Sequence, residues 1–246
     1  MDRLVYVAMT GAKQLSQAQA LVANNLANVS TTGFRADLAR FEARPVQGPG
    51  YASRVNSVAT GLGFDRTQGT LVQTGEVLDV AIDGPGWLAV QARDGTEALS
   101  RGGGLKINAV GLLETERGEL VLGDNGPLAV PPYSSIALAA DGTLSIVPQG
   151  QGPETLAQVG RLKLVNPPPS QLEKRPDGLV RVRGNVETEP DANVKLASGF
   201  IETSNVNIAA TLVDMIEYAR EFDLAVRMMR TADDNASQAA SLARMN

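Results

Sequence analysis

Ala23-Asn24-Asn25-Leu26-Ala27-Asn28-Val29-Ser30-Thr31-Thr32-Gly33-Phe34 is where the chain changes character. Before it, residues 4 to 29 read as helix. After it, extended segments and turns continue to about Ser204, where a second helix begins and runs to the end. The upstream stripe is Val5, Ala8, Ala12, Leu15, Gln19, Val22, Leu26 and Val29, spaced alternately three and four apart. That spacing is an a/d seam, with Gln19 its one polar member. Ala8 and Ala12 are small enough to let a partner helix approach closely. At ~1.5 Å per residue the helix would be about 38 Å long. Gly33 suits a left-handed stop beyond the last turn. A surface helix packed only on its own domain would carry the same stripe.

The second helix is expected to start at Ser204 or Asn205, either of which can cap it. Its seam reads Ile208, Leu212, Met215, Ala219, Phe222, Val226, Met229, Asp233, Ala236, Ala240 and Ala243. Asp233 is the only charge in it. The seam thins to alanine toward the C-terminus, which favours close contact but buries little area per residue. Neither stripe can be buried alone. The expectation is that the two helices pair with each other and turn their lateral faces to other chains.

Residues 35 to 68 show no helical stripe and are punctuated by Pro45, Gly48, Pro49 and Gly50. They read as an extended connector with one or two strands, and so long an irregular segment is expected to contact something else. From Thr70 the β signal is clear. Apolar runs such as Val77 to Ile82, Trp87 to Gln91 and Thr143 to Val147 alternate with Asp94-Gly95, Asp141-Gly142 and Asp177-Gly178. Asp-Gly between apolar runs is a hairpin cue. Many short strands argue for a sandwich or an irregular barrel. The fold class read here is α+β, mainly β. A coiled-coil assembly domain (1–33 and 204–246) flanks a connector (34–69) and a β domain (70–203).

Composition narrows the function. The chain has 246 residues and a net charge of −5, with aromatics at only 4%, so its core must be aliphatic. The acidic balance argues against a nucleic-acid binder. There is no Cys and no His. That removes disulfides, thiolate nucleophiles, Cys/His metal sites and the commonest general base. Met1 to Ala8 does not read as a signal peptide, because Thr10, Gly11 and Lys13 interrupt the apolar run. No stretch approaches the ~18 apolar residues of a membrane span.

Three motifs resemble the axial proteins of the bacterial flagellum. Residues 23–34 are similar to the rod signature of that family. Gly69-Thr70-Leu71, Thr74-Gly75 and Leu78-Asp79-Val80-Ala81-Ile82-Asp83-Gly84-Pro85-Gly86 resemble its rod and hook core motif. Ser204-Asn205-Val206-Asn207, followed by Met215-Ile216 and Arg220, resembles its C-terminal signature. Trp87-Leu88 and Leu105 depart from the phenylalanines usual in the family, and are read as core substitutions. The start Met1-Asp2-Arg3-Leu4 and the length resemble a proximal rod subunit, with the distal rod second.

The resemblance implies a non-enzymatic, cofactor-free subunit of the basal-body rod crossing the periplasm. It implies copies of itself, other rod proteins and the flagellar type III export apparatus as partners, with no nucleic acid and no membrane span. Its implied assembly surface comprises the upstream seam together with Asn24, Asn25 and Asn28, and then Asn205 and Asn207. The downstream positions are Ile208, Leu212, Met215, Ile216, Ala219, Phe222, Val226 and Met229.

Other readings were weighed. Asn24, Asn25 and Asn28 either fray a helix end or fix register between subunits, as buried polar seam residues do. Asp233 carries the same two readings. Gly84-Pro85-Gly86 and Gly102 to Gly104 lack the Gly-Lys-Ser/Thr of a phosphate loop. Glu217/Glu221 and Asp233-Asp234 read as helix-surface acids rather than a catalytic pair. Asn28-Val29-Ser30 and Asn235-Ala236-Ser237 fit the glycosylation pattern but lie on expected helices. From another class, the chain could be a β-sandwich enzyme or binding module on a helical dimerisation stalk, which predicts a pocket of convergent polar groups.

Overall fold

Two helices bracket the chain, α1 (Arg3–Ala27) and α2 (Ile208–Ala243). The computed structural model describes residues 3–38, 41–45, 55–59, 63–152, 155–184 and 186–244. These fall into two units, one of residues 1–28, 36–65 and 206–246, the other of residues 29–35 and 66–205. Content is mainly β, with one helix toward each end.

In the first unit α1 packs against α2. α1 buries Ala8, Ala12, Ala18, Val22 and Asn25, while Val5, Leu15, Gln19 and Leu26 are half-buried. On α2 the innermost row is Thr211, Ala225 and Ala232, flanked by half-buried Met215, Tyr218, Phe222 and Met229. The expected row was one residue out on one side. Ile208 and Leu212 are exposed, Ala219 and Val226 are only half-buried, and Asp233 faces outward. Apolar residues lie all round this helix, so periodicity could not choose between rows. Small side chains on both helices decide it, because they permit the closest approach of backbones.

Asn207, not Ser204 or Asn205, caps α2: its Oδ1 accepts the Ala210 N–H at 3.2 Å. The segment between the motifs forms a two-stranded ribbon. Strands β1 (Asp37–Leu38), β2 (Phe41–Pro45), β3 (Val55–Ala59) and β4 (Gly63–Phe64) pair antiparallel as β1–β4 and β2–β3. β1 and β3 contact α1. This replaces the expected connector of one or two strands. Phe41-Glu42-Ala43-Arg44 alternates for only four residues before Pro45, and the ribbon's register is visible only in the pairing. Gly48, Pro49 and Gly50 lie outside the described residues.

The second unit is built of short strands. In order they are β5 (Leu71–Gln73), β6 (Val80–Asp83), β7 (Trp87–Gln91), β8 (Glu97–Ser100), β9 (Leu105–Ile107), β10 (Leu113–Thr115), β11 (Leu120–Gly123) and β12 (Gly126–Pro127). There follow β13 (Tyr133–Leu138), β14 (Thr143–Pro148), β15 (Ala157–Arg161), β16 (Leu164–Val165), β17 (Leu172–Lys174), β18 (Val180–Val182), β19 (Lys195–Ser198) and β20 (Phe200–Glu202). Among the described residues the main sheet runs β17-β18-β8-β7-β11-β10-β9, with β12 on β11 and β16 on β7. β13-β14-β15 form a meander, β19 pairs β6, and β20 pairs β5.

The core is aliphatic, as composition required: Leu88, Val90, Leu113, Val121, Leu144, Ile146, Leu162 and Leu164 are fully enclosed. Trp87 and Leu105 are buried as well. The Asp-Gly hairpins have a common device. Asp94, Asp141 and Asp177 each accept the N–H two residues on, at 3.0 Å. Outside the strands, Ala129 makes an isolated bridge to Leu112.

Leu88→Ala is expected to destabilise the β unit by about 2–5 kcal/mol, because a cavity adds to the lost transfer energy; urea unfolding of purified protein measures it. The Thr96 hydroxyl, then Arg175 and the Thr96 N–H, hold the Asp94 carboxyl well below its usual range. A depressed folded pKa stabilises above the ordinary carboxylate range, and that contribution is lost as pH falls. Asp94→Asn should therefore be less stable than the parent at neutral pH, and the gap should close below about pH 4. A gap unchanged in acid would contradict this.

Candidate functional site: a buried carboxylate between two guanidiniums

Phe200-Ile201-Glu202-Thr203 places one acid in an apolar β run, and Glu202 is completely buried. Such a charge survives burial only when paired and hydrogen-bonded. Its Oε1 lies 2.6 Å from Arg35 Nη2 and accepts the Gly69 N–H at 2.9 Å. Its Oε2 accepts from Arg101 Nη1 at 2.8 Å. Both arginines are buried. Arg101 Nε donates to the Gly86 carbonyl at 2.9 Å and Nη2 to the Gly84 carbonyl. Arg35 Nη1 donates to the Thr67 carbonyl. The Gly84-Pro85-Gly86 turn is thus a carbonyl cradle for a guanidinium, the opposite of a phosphate loop. The Arg101 guanidinium also sits 5.7 Å from the centre of the Trp87 ring.

The backbone around this cluster is equally tied. Gly33 donates its N–H to the Glu202 carbonyl at 2.8 Å. Its φ is +66°, and a Cβ there would lie 2.1 Å from the Arg101 carbonyl carbon, so no other residue fits. At Gly69 a Cβ would lie 2.0 Å from the Thr203 carbonyl oxygen. Phe34 is buried under the Lys174 ammonium, 3.9 Å from its ring centre, and Lys174 Nζ donates to the Arg35 carbonyl at 2.7 Å. Asn205 donates from its side chain to the Thr67 carbonyl at 3.0 Å and from its backbone to the Phe34 carbonyl at 3.3 Å. The chain therefore enters the β unit at 29–35 and leaves it at 200–205 through the same polar knot.

The three sequence motifs supply most of this knot, yet its charges were not picked out from sequence. Arg35 follows the first motif directly, Arg101 precedes the glycine run, and Glu202 precedes the third motif. The available signal was Glu202 itself, a lone acid directly after the apolar pair Phe200-Ile201.

The predicted assembly residues fall into two groups. Ala8, Ala12 and Val22 are buried within the helix pair; Val5, Leu15, Leu26, Met215, Ala219, Phe222, Val226 and Met229 are half-buried. Asn24, Asn207, Ile208, Leu212 and Ile216 are exposed, while Asn28, Val29 and Asn205 are half-buried. Asn25 is buried and bonds within its own chain. Its Nδ2 donates to the Asp37 carbonyl at 2.9 Å and its Oδ1 accepts the Asp37 N–H at 2.8 Å. It pins β1 to α1 as a neighbouring strand would. Asn28 closes back on the Asn24 carbonyl at 2.9 Å.

Chemically, the cluster offers structure. Glu202 spends both carboxylate oxygens on three donors, and Arg101 spends its guanidinium on Glu202 and two carbonyls. Glu217, Glu221, Asp233 and Asp234 are exposed on α2. Among the described residues no group of three acids is placed to hold a metal ion. None of the described helices is long and apolar enough to cross a membrane.

Residues 5–35 match the family described as flagella basal body rod protein, and residues 81–146 the flagellar hook protein FlgE/F/G D1 domain. Residues 197–242 match the flagellar basal body rod FlgEFG protein C-terminal family. The flagellar basal-body rod protein FlgF of Escherichia coli (strain K12) is 40% identical over 252 residues, covering all of both chains. FlgF of Salmonella typhimurium is likewise 40% identical over the full length of both. The rod protein FlgG of Buchnera aphidicola subsp. Schizaphis graminum is 31% identical, over 97% of this chain and 98% of its own.

Glu202→Ala is expected to destabilise the β unit by about 3–5 kcal/mol, because two buried guanidiniums lose their counter-charge. Replacing the triad together (Arg35→Met, Arg101→Met, Glu202→Leu) should recover most of that loss. Urea midpoints of the two variants decide it; equal, small effects would show the ion cluster to be dispensable.

Proposed function

The chain belongs to the flagellar basal-body rod protein family, and from that premise we propose that it occupies the proximal rod. It is a structural subunit of the basal-body rod, not an enzyme. The observation that carries the finer reading is 40% identity, over the full length of both chains, to two FlgF proteins. The distal rod is the second reading. The stalked enzyme or binding module has no relative to support it among these matches.

In this reading, residues 1–33 and 204–246 act as the assembly domain, packing in coiled-coil fashion around the rod axis. The ribbon strands β1 to β4 pack with these helices, and residues 66–205 form the β-rich body. Copies of the chain and other rod proteins stack through the terminal helices into a shaft that transmits torque and encloses the export channel. The flagellar type III apparatus delivers the subunit. The split of the expected interface supports a division of labour. Ala8, Ala12, Val22, Phe222 and Met229 hold the helix pair together, and exposed Asn24, Ile208, Leu212 and Ile216 are left for neighbours. An open assembly needs such heterologous surfaces.

Deleting the chain in a flagellated host should abolish swimming and leave basal bodies without a complete rod or hook, and the wild-type chain should restore both. Electron cryotomography of basal bodies in place reads the outcome. Normal hook-bearing basal bodies in the deletion strain would sink the proposal.

A further inference from the structure

The outer faces of the two helices are apolar in the middle and opposite in charge. On α2, Val213, Ile216, Leu224 and Met228 are between 49% and 62% exposed. At about 100° per residue Val213, Ile216 and Leu224 lie on one strip, facing away from the row Thr211, Ala225 and Ala232, while Met228 sits beside that row. Val213, Ile216 and Leu224 line a shallow groove with Glu217, Arg220 and Glu221. On α1, Tyr6 and Met9 are 54% and 53% exposed, and exposed Lys13 continues their strip away from Ala8, Ala12 and Ala18. α1 holds Arg3 and Lys13 and no acid between Arg3 and Ala27. The first half of α2 holds Asp214, Glu217, Glu221 and Asp223 against Arg220 alone.

We propose that a second copy of this chain lays the Tyr6, Met9 and Lys13 strip of its α1 into the Val213, Ile216 and Leu224 groove of α2, with Lys13 meeting Glu217 and Glu221. This rests on the assembly reading above and names the faces that perform it. Charge selects the pairing. α2 against α2 would bring Glu217 and Glu221 onto their own kind, and α1 against α1 would oppose two Lys13, both unfavourable. Only the mixed contact is complementary. The surface given differs from the surface received, so each copy leaves one of each for the next and the contact propagates. Two apolar side chains on one face and three on the other fall short of the ~1,200 Å² of a standard stable interface. Isolated chains should therefore associate weakly, and the array should hold through repetition.

The chain has no cysteine, so introduced thiols report cleanly. Met9→Cys and Ile216→Cys variants are purified separately, mixed at high concentration and mildly oxidised. The mixed disulfide is expected several-fold above either self-disulfide, and several-fold above Met9→Cys with Val110→Cys on the β unit. Equal yields in all pairs, or dominant self-disulfides, overturn the proposal. In cells lacking the native copy, Lys13→Glu alone and Glu217→Lys with Glu221→Lys should each cut swimming several-fold, and all three together should restore it. Charge variants that swim normally overturn the docking surface while leaving the rod reading intact. Failure of the wild-type chain to restore swimming counts against the rod reading itself. An Ile216→Cys thiol captured in cells by a different rod protein, and never by this chain, also overturns the proposal.

Discussion

The structure depends on one carboxylate. Glu202 is removed from water and held by Arg35, Arg101 and the Gly69 N–H, which draws together segments far apart in sequence. Burying an ion costs several kcal/mol even after relaxation, so the cluster is tolerable only with every partner in place. That makes it an all-or-none closure. The segment after α1 and the strand before α2 must both reach the β unit before Glu202 has all three of its donors. The glycines at 33 and 69 exist to let backbones come close enough for this, since a Cβ at either would overlap its neighbour.

A second constraint governs the helices. α1 packs on α2, and the most buried residues of the two helices include Ala8, Ala12, Ala18, Thr211, Ala225 and Ala232, which bury little area each. Close approach of the backbones gains dispersion contacts, while Val213, Ile216 and Leu224 of α2 are left on the far side. A helix that keeps part of its apolar surface outside has something to offer a neighbour. That placement suits a subunit of an assembly better than a chain finished by itself.

Much of this was legible in the residues. The two terminal helices, the aliphatic β body and most hairpins follow from periodicity and from Asp-Gly turns, whose carboxylates bond locally and need no tertiary partner. The ribbon of β1 to β4 was not legible, because strands this short, with four residues of alternation at most, declare themselves only by pairing. Strands β8, β17, β19 and β20 were missed for a related reason: they are short, and what makes each a strand is the neighbour it joins. Asn25 reads from sequence as fraying a helix end or fixing register between subunits; its bond to Asp37 crosses to another element of its own chain and has no local signal.

What the sequence by itself determined is therefore local in physical origin: where helices begin to be favoured, where turns must fall, which residues cannot stay in water, and which family the three motifs resemble. The tertiary structure alone decided which row of α2 faces inward, and which charge could be buried. Both depend on groups brought together from distant positions. Helical periodicity is degenerate when apolar residues surround the helix, and a lone glutamate is stable in a core only because two arginines, 167 and 101 residues away, arrive beside it.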